Sequence, residues 1–448
     1  MRNPPPPPPE NKPEESRRAD PDVIVMKREY RLLTPLYGGG VQAGVVDRKT
    51  PIHGTGVRGQ LRFWWRATRG GRFNGDMAAM RLAEDQLWGS TQRGSLVTIA
   101  VTRCSSGQEL RARDTHGQPV DVGAVGSPYS YVAFPLRESH GKVYEGITFD
   151  LELTLPAGDK AITEDVQAAL WAWETFGGVG ARTRRGFGAL HCRRVTPCLG
   201  SATFNTADWR WEYDCASAEA RLREDVEHFV LDGHFHTDVP RLSRTLERYK
   251  LTNPHSNALK VWEHLFGELQ NFRQNRPKKR YGRSNWPEPD VIRDYTNQRL
   301  DGLDHDQPVY DPIIEKFPRA DFGLPILFGF HPDHKPDEDD ELNPDRDPRD
   351  TTLQGTDHDR LASPLILRPL ACANGRYVGL ALILEARRVP PGGLVLKGTA
   401  LTKTVQSTLD DKEARRISAK HTWRKMGIDV LQYFLDGMKK DIGSSHER

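Results

Sequence analysis

Residues 174–190 read ETFGGVGARTRRGFGAL. Gly177, Gly178, Gly180, Gly186 and Gly188 are interleaved there with Arg182, Arg184 and Arg185. An amphipathic helical pattern runs into the stretch and an apolar strand pattern runs out of it. Glycine lets a backbone take positive φ and come close to another group. Arginine offers a planar, permanently charged fork that suits phosphate oxygens. The local chemistry is that of a backbone-lined anion cradle at a helix–strand junction. No Lys-Ser/Thr pair follows the glycines, so the P-loop pattern fails. The dinucleotide fingerprint needs a strand before the glycines and a helix after them, the reverse of the order here. The arginine density exceeds what one small phosphate requires and suits a long polyanion. The plainer alternative is a glycine-rich turn with solvated arginines.

Working outward, the helix entering the loop carries an apolar stripe of Val166, Leu170, Trp173 and Phe176. Thr163 is its expected cap, Glu164 and Asp165 suit its positive end, and Gly177 stands where helices commonly stop. The leaving strand is expected over residues 187–195. Upstream, residues 147–155 alternate strictly between apolar and polar, a strand with one core face. Residues 23–33 and 96–103 read as two more strands. Between those two, residues 55–71 (TGVRGQLRFWWRATRGG) read as a helix capped by Thr55, with Arg58, Arg62 and Arg66 on one face. The plainer alternative here is a solvated basic face, with Trp64 in the core and Trp65 partly exposed. Gly56 and Gly59 leave the helix start open to an anion. A long glycine-rich loop, residues 36–54, precedes this helix, and a short helix is expected at 77–88. The order β-α-β-β-α-β is that of a ferredoxin-like fold. The sequence does not fix whether the two basic elements meet; one groove serving both is the expectation.

The chain has 448 residues and a formal net charge of +3, with 28% charged and 37% hydrophobic residues. Two or three domains with disordered tails or loops fit that composition. The cysteines Cys104, Cys192, Cys198, Cys215 and Cys372 form no CxxC pair, which argues against a disulfide framework and against zinc. A reducing cytoplasm is the expected compartment, with no signal peptide and no membrane span.

Beyond residue 200 the pattern changes. Helices are expected at 216–231 and around Leu259–Phe272. The run RPKKRYGR at 276–283 is either a base-stacking patch or a solvated loop. Strand-like segments follow at 318–330, 360–370 (RLASPLILRPL, bracketed by Arg360 and Arg368) and 376–385. Residues 334–350 read as an acidic, disordered loop, and 106–126 as a polar excursion. The C-terminus is helical from about residue 413, with a stripe of Trp423, Met426, Leu431, Phe434 and Met438. The carboxylates at 337–341 sit on no rigid element, which disfavours a metal-dependent nuclease.

Several of these stretches together resemble one family: TPLYGGG (34–40) followed by GTGVRGQLRFWWRA (54–67), FGGVGARTRRGFGAL (176–190), and RADFGLPI (319–326) with RLASPLILRP (360–369). They resemble the RAMP superfamily, and within it the first subunits of the Cmr complex, the type III-B CRISPR–Cas effector. The resemblance implies an α+β chain of two tandem ferredoxin-like (RRM-like, RAMP) domains with extra helices. The expected divisions are a disordered Pro-rich tail at 1–22, a first domain at 23–200, a second at 201–400 and a helical segment at 401–448. The implied function is a non-catalytic RNA-binding subunit in antiviral defence. It would contact the guide RNA 3′ region, the target RNA, or both, at one end of the complex. The implied partners are guide and target RNA and other Cmr subunits, including neighbouring RAMP subunits and the backbone filament. No cofactor, metal or membrane is implied. Carried onto this chain, the RNA-contacting candidates are Arg58, Arg62, Arg66, Gly178, Gly180, Arg182, Arg184, Arg185 and Gly186. Two alternatives stay open. One is a metal-independent endonuclease using His53 as general acid or base. The other is a scaffold whose arginines pair with acidic protein surfaces.

Overall fold

The structure, a computed structural model, describes residues 22–40, 42, 44–198, 202–276, 283–298, 307–330, 348–398, 401–421 and 427–442. The expected Pro-rich tail, most of the acidic loop and of the basic run, and Trp423 and Met426 lie outside the described residues.

In the first half, β1 (Val23–Leu32) is followed by α1 (Gly54–Arg69), α2 (Met77–Trp88) and β2 (Thr98–Cys104). Two small ribbons follow, β3 (Gln108–Glu109) paired with β6 (Tyr144–Glu145), and β4 (Ala112–Arg113) paired with β5 (Pro119–Val120). Then come β7 (Thr148–Pro156), α3 (Lys160–Phe176) and β8 (Leu190–Pro197). The principal strands form an antiparallel sheet in the order β2–β7–β1–β8. α1 and α3 pack against each other and against this sheet. β1 alternates strictly, and its buried side includes Ile24, Met26, Tyr30 and Leu32. Its period also places Arg28 on that side, where it is 0% exposed. Burying that cation is tolerable because it is paired and hydrogen-bonded. Its guanidinium lies 2.5 Å from Glu174 of α3 and donates to the Trp209 carbonyl at 2.8 Å, while the Tyr30 hydroxyl donates to Glu174 at 2.6 Å.

The second half contains α4 (Ala218–Phe229), β9 (Tyr249–Leu251), α5 (Ala258–Gln274), α6 (Glu288–Thr296), β10 (Ile326–Phe328) and β11 (Thr351–Gly355). β12 (Leu365–Ala371), β13 (Tyr377–Ile383), β14 (Leu394–Gly398), β15 (Leu401–Val405), α7 (Asp411–Lys420) and α8 (Val430–Gly437) complete it. The described strands here make two antiparallel sheets, β10–β11–β14–β15 and β12–β13–β9, with α5 packed on β12 and β13. The halves share a core: Ile366, Leu370, Leu380 and Leu382 belong to the same apolar cluster as Met26, Leu151 and Trp171. None of the helices in the described residues is long and apolar enough to cross a membrane.

Several local expectations change. α1 begins one residue before Thr55, at Gly54, and its cap position is His53, whose side chain makes no capping bond. α3 is capped by Asp159, which accepts from the Ile162 amide at 3.0 Å, so Thr163 lies inside the helix. Trp65 is as buried as Trp64, because its indole donates to Asp165 at 2.8 Å. The polar excursion is a folded insert with its own apolar cluster, including Leu110, Val122, Tyr129 and Val132, packed against Phe187, Trp262 and Phe266. Cys215 and Cys372 form a disulfide across a separation of 157 residues. A lone long-range pair leaves no local spacing motif, so the absence of CxxC says nothing about it.

Candidate nucleic-acid interface

The glycine–arginine loop is wedged between two walls. On one side residues 35–37 run beside it: the Ala181 amide donates to the Tyr37 carbonyl at 2.7 Å and the Gly188 amide to the Pro35 carbonyl at 2.8 Å. On the other side stands the second half. The Trp262 indole donates to the Arg185 carbonyl at 2.7 Å. Arg368 of β12, 0% exposed, donates to the Gly177 carbonyl at 2.5 Å and the Leu190 carbonyl at 2.8 Å, gripping both ends of the loop. Gly186 has φ +85, and a Cβ there would lie 2.5 Å from the Trp262 ring. Gly178 and Gly186 are buried, whereas Gly180 stays exposed. Gly178 and Gly186 are therefore glycines because chain packs on chain at these points, not because ligand packs on chain.

The arginines divide sharply. Arg185 donates to the Phe322 carbonyl at 2.9 Å, the Ser363 hydroxyl at 3.1 Å and the Leu365 carbonyl at 3.2 Å. Burial, with neighbouring Arg273, Arg182 and Arg184, pushes its pKa down to about 9. Arg184 donates to the Ser363 carbonyl and lies 5.4 Å from the Phe63 ring of α1. Burial lowers its pKa to about 10. Arg62 pairs with Glu84 and, at 3.0 Å, with Asp85 of α2; Arg66 pairs with Glu84 at 2.6 Å. Those four arginines thus bind parts of the chain together. Arg58 and Arg182 differ: among the described residues neither has an ion-pair or hydrogen-bond partner, and each has a buried Nε without an acceptor. Arg182 adopts left-handed φ 57 and lies 5.2 Å from the Phe134 ring. Burial lowers its pKa.

Arg58 lines a groove of about 630 Å³ with Lys49, His53, Thr55 and residues 99–104 of β2. The imidazole of His53 stands 4.0 Å from Asp47 in the loop before α1. The two basic elements do meet, through Arg184 over Phe63 and through the Trp64–Phe176 ring contact at 5.8 Å. Gly39 backs onto both Gly180 and Pro51, which links the exposed part of the loop to the start of α1. The outer face of the first sheet presents Lys27, Glu29 and Arg31 of β1 and Asp150 and Glu152 of β7, with Lys27 2.9 Å from Asp150. These positions bear no Phe, Tyr or Trp, so base stacking of the RRM kind has no platform on them. Sequence reasoning passed over Tyr131 and Phe134, although the stretch SPYSYVAFPL at 127–136 is dense in aromatics.

Residues 29–191 match the family model of the RAMP superfamily. Two curated Pyrococcus furiosus proteins are similar to parts of the chain. CRISPR system Cmr subunit Cmr1-1 is 30% identical over 174 residues, 37% of this chain and 49% of that protein. CRISPR system Cmr subunit Cmr1-2 is 26% identical over 182 residues, 37% of this chain and 94% of that protein. The chain thus spans about half the length of Cmr1-1 in their match. The apo crystal structure of Pyrococcus furiosus Cmr1 superposes with TM-score 0.48 and 15% identity, covering 92% of this chain and 96% of that one. A chain of the Type III-B Cmr-beta complex bound to cognate target RNA superposes with TM-score 0.47 and 11% identity, covering 92% and 100%. Residues 29–191 thus resemble the RAMP superfamily, and parts of the chain are similar to Cmr1 subunits of a CRISPR Cmr system.

Proposed function

We propose that this chain is a non-catalytic, RNA-binding subunit of a type III-B CRISPR effector, with guide or target RNA and other Cmr subunits as partners in the cytoplasm. On this reading the first sheet with α1 and α3 is a ferredoxin-like unit, and β9, α5, β12 and β13 are the remnant of a second. The observation that carries the RNA assignment is the pair Arg58 and Arg182. They are the cations of the two basic elements whose side chains have neither an acid nor a hydrogen-bond acceptor among the described residues, and Arg182 follows the exposed backbone at Gly180. Uncompensated arginines beside open backbone suit phosphate oxygens, and such contacts hold a strand without reading its sequence. Specificity then falls to guide–target pairing, as in other RNA-guided effectors.

The test is affinity for a single-stranded oligoribonucleotide against salt. Arg58→Ala and Arg182→Ala should each weaken binding and shallow the log–log salt slope by about 0.7 for each phosphate no longer neutralised. Loss of binding from Arg62→Ala with none from Arg58→Ala would reverse the assignment. A second reading has one observation in its favour: His53 lines the same groove as Arg58 and lies near Asp47, which could orient its imidazole. Metal-free cleavage of the oligonucleotide by the wild type, abolished in His53→Ala with affinity kept, would establish it.

A further inference from the structure

Phe134 is 46% exposed, one of few large apolar side chains left open to solvent among the described residues. It belongs to the insert between β2 and β7 and lies at the seam where that insert meets the glycine–arginine loop. The Arg182 guanidinium lies 5.2 Å from its ring. Arg182 is held in a left-handed backbone conformation that costs a non-glycine residue about 1–2 kcal/mol. Three residues before Phe134, the Tyr131 hydroxyl accepts from Arg273, at the end of α5, at 3.3 Å. The Nε atoms of Arg182 and Arg273 are both buried without an acceptor, and neither arginine has an ion pair with an acid among the described residues. Three separate chain segments therefore bring together an exposed ring, a second ring and two under-satisfied cations.

We propose that this seam is a stacking subsite for one unstacked nucleobase of single-stranded RNA. The base lies on the open face of Phe134, and Arg182 and Arg273 hold the flanking phosphates. The inference rests on the RNA-binding reading above and adds a site to it. An arginine stacked on a ring keeps its N–H edge free for an anion, so Arg182 can support the ring and contact phosphate together. Stacking needs only the π-face of the base, so the subsite should accept any base. The insert is then part of the binding machinery, and it supplies the platform that the outer face of the first sheet does not.

The experiment uses the full chain and an oligoribonucleotide carrying 2-aminopurine at successive positions, compared with the same strand made abasic there. Phe134→Ala should weaken affinity roughly 5- to 100-fold and abolish the fluorescence quenching at one position, with the salt slope unchanged. Phe134→Trp should restore both. The abasic strand should lose affinity for the wild type and not for Phe134→Ala. If the wild type binds RNA and both Phe134 variants bind equally well, the stacking subsite is overturned and the RNA-binding reading stands. If the wild type does not bind RNA, that reading falls and takes the subsite with it. If Phe134→Ala weakens binding but Phe134→Trp does not recover it, the ring serves the fold of the seam and not the base. Because Phe134 is exposed, thermal melting of both variants should match the wild type.

Discussion

Gly186→Ala tests the claim that the loop's buried glycines serve the chain and not a ligand. Two separable costs follow from its surroundings. At φ +85 an L-residue sits in the left-handed region, which costs about 1–2 kcal/mol. The added methyl would also stand 2.5 Å from Trp262 and 2.7 Å from the Leu367 carbonyl, both on the second half. Trp262 cannot swing away freely, since its indole is committed to the Arg185 carbonyl and its ring packs on Phe187 at 4.8 Å. Forcing a methyl into so close an approach adds about 1–3 kcal/mol. The expected loss is therefore about 2–5 kcal/mol, read as a lower midpoint in urea unfolding followed by tryptophan fluorescence. Gly59→Ala is the matched control. Gly59 lies in exposed helix with nothing within 4 Å of a built Cβ, so alanine should stabilise by about 0.5–1 kcal/mol. A loss below ~0.5 kcal/mol for Gly186→Ala would refute the packing account, since both costs would then be absent. A normal fold with lost RNA affinity would return Gly186 to the ligand.

Two further outcomes follow. Glu84 is nearly fully buried and neutralises both Arg62 and Arg66, so Glu84→Gln should destabilise the α1–α2 packing yet raise RNA affinity by freeing Arg66, while Arg62 keeps its pair with Asp85; unchanged affinity in a salt titration would show that this face is remote from RNA. Burial pushes the pKa of His421 down to about 4, against about 6.5 in an unfolded chain. Between those values the unfolded state binds a proton that the folded state refuses, so stability is lost as pH falls from about 6.5 toward 4. His191, lowered to about 4 mainly by burial and then by nearby arginines, acts in the same direction. Asp321, raised to about 6 mainly by burial, keeps a proton on folding and acts in the opposite one. His421→Asn should therefore gain about 2–3 kcal/mol on the wild type between pH 7 and pH 4 in denaturant titrations, and parallel pH curves would discount the burial.

The strands and helices of the first half were legible because each has an unbroken period: alternation in β1 and β7, and the stripe through Leu170 and Trp173 in α3. What the sequence concealed is pairing at a distance. Arg62 and Arg66 read as a free basic face because Glu84 and Asp85, their partners, lie on another helix. Arg185 reads like Arg182, yet one is tied to the Phe322, Ser363 and Leu365 segment and the other has no ion partner among the described residues. Nothing local distinguishes them. The caps slip for a simpler reason: Thr55 and Thr163 are the nearest favourable residues to each apolar stripe, while α3 starts from Asp159. The insert reads as polar because its apolar residues are scattered among turns and find their partners in Trp262 and Phe266 of α5.

Arg368 holds the carbonyl of Gly177 from 191 positions further along the chain. A ribosome adding about 5–20 residues per second exposes the loop roughly 10–40 s before its anchor is made. During that interval the first half can pair its four strands and the loop can bond residues 35–37, but Ser363, Leu365 and Arg368, which hold its other side, are still missing. The surface around Arg182 is thus matured by the last third of the polypeptide, and a truncated product would carry the loop's charges without the geometry that presents them.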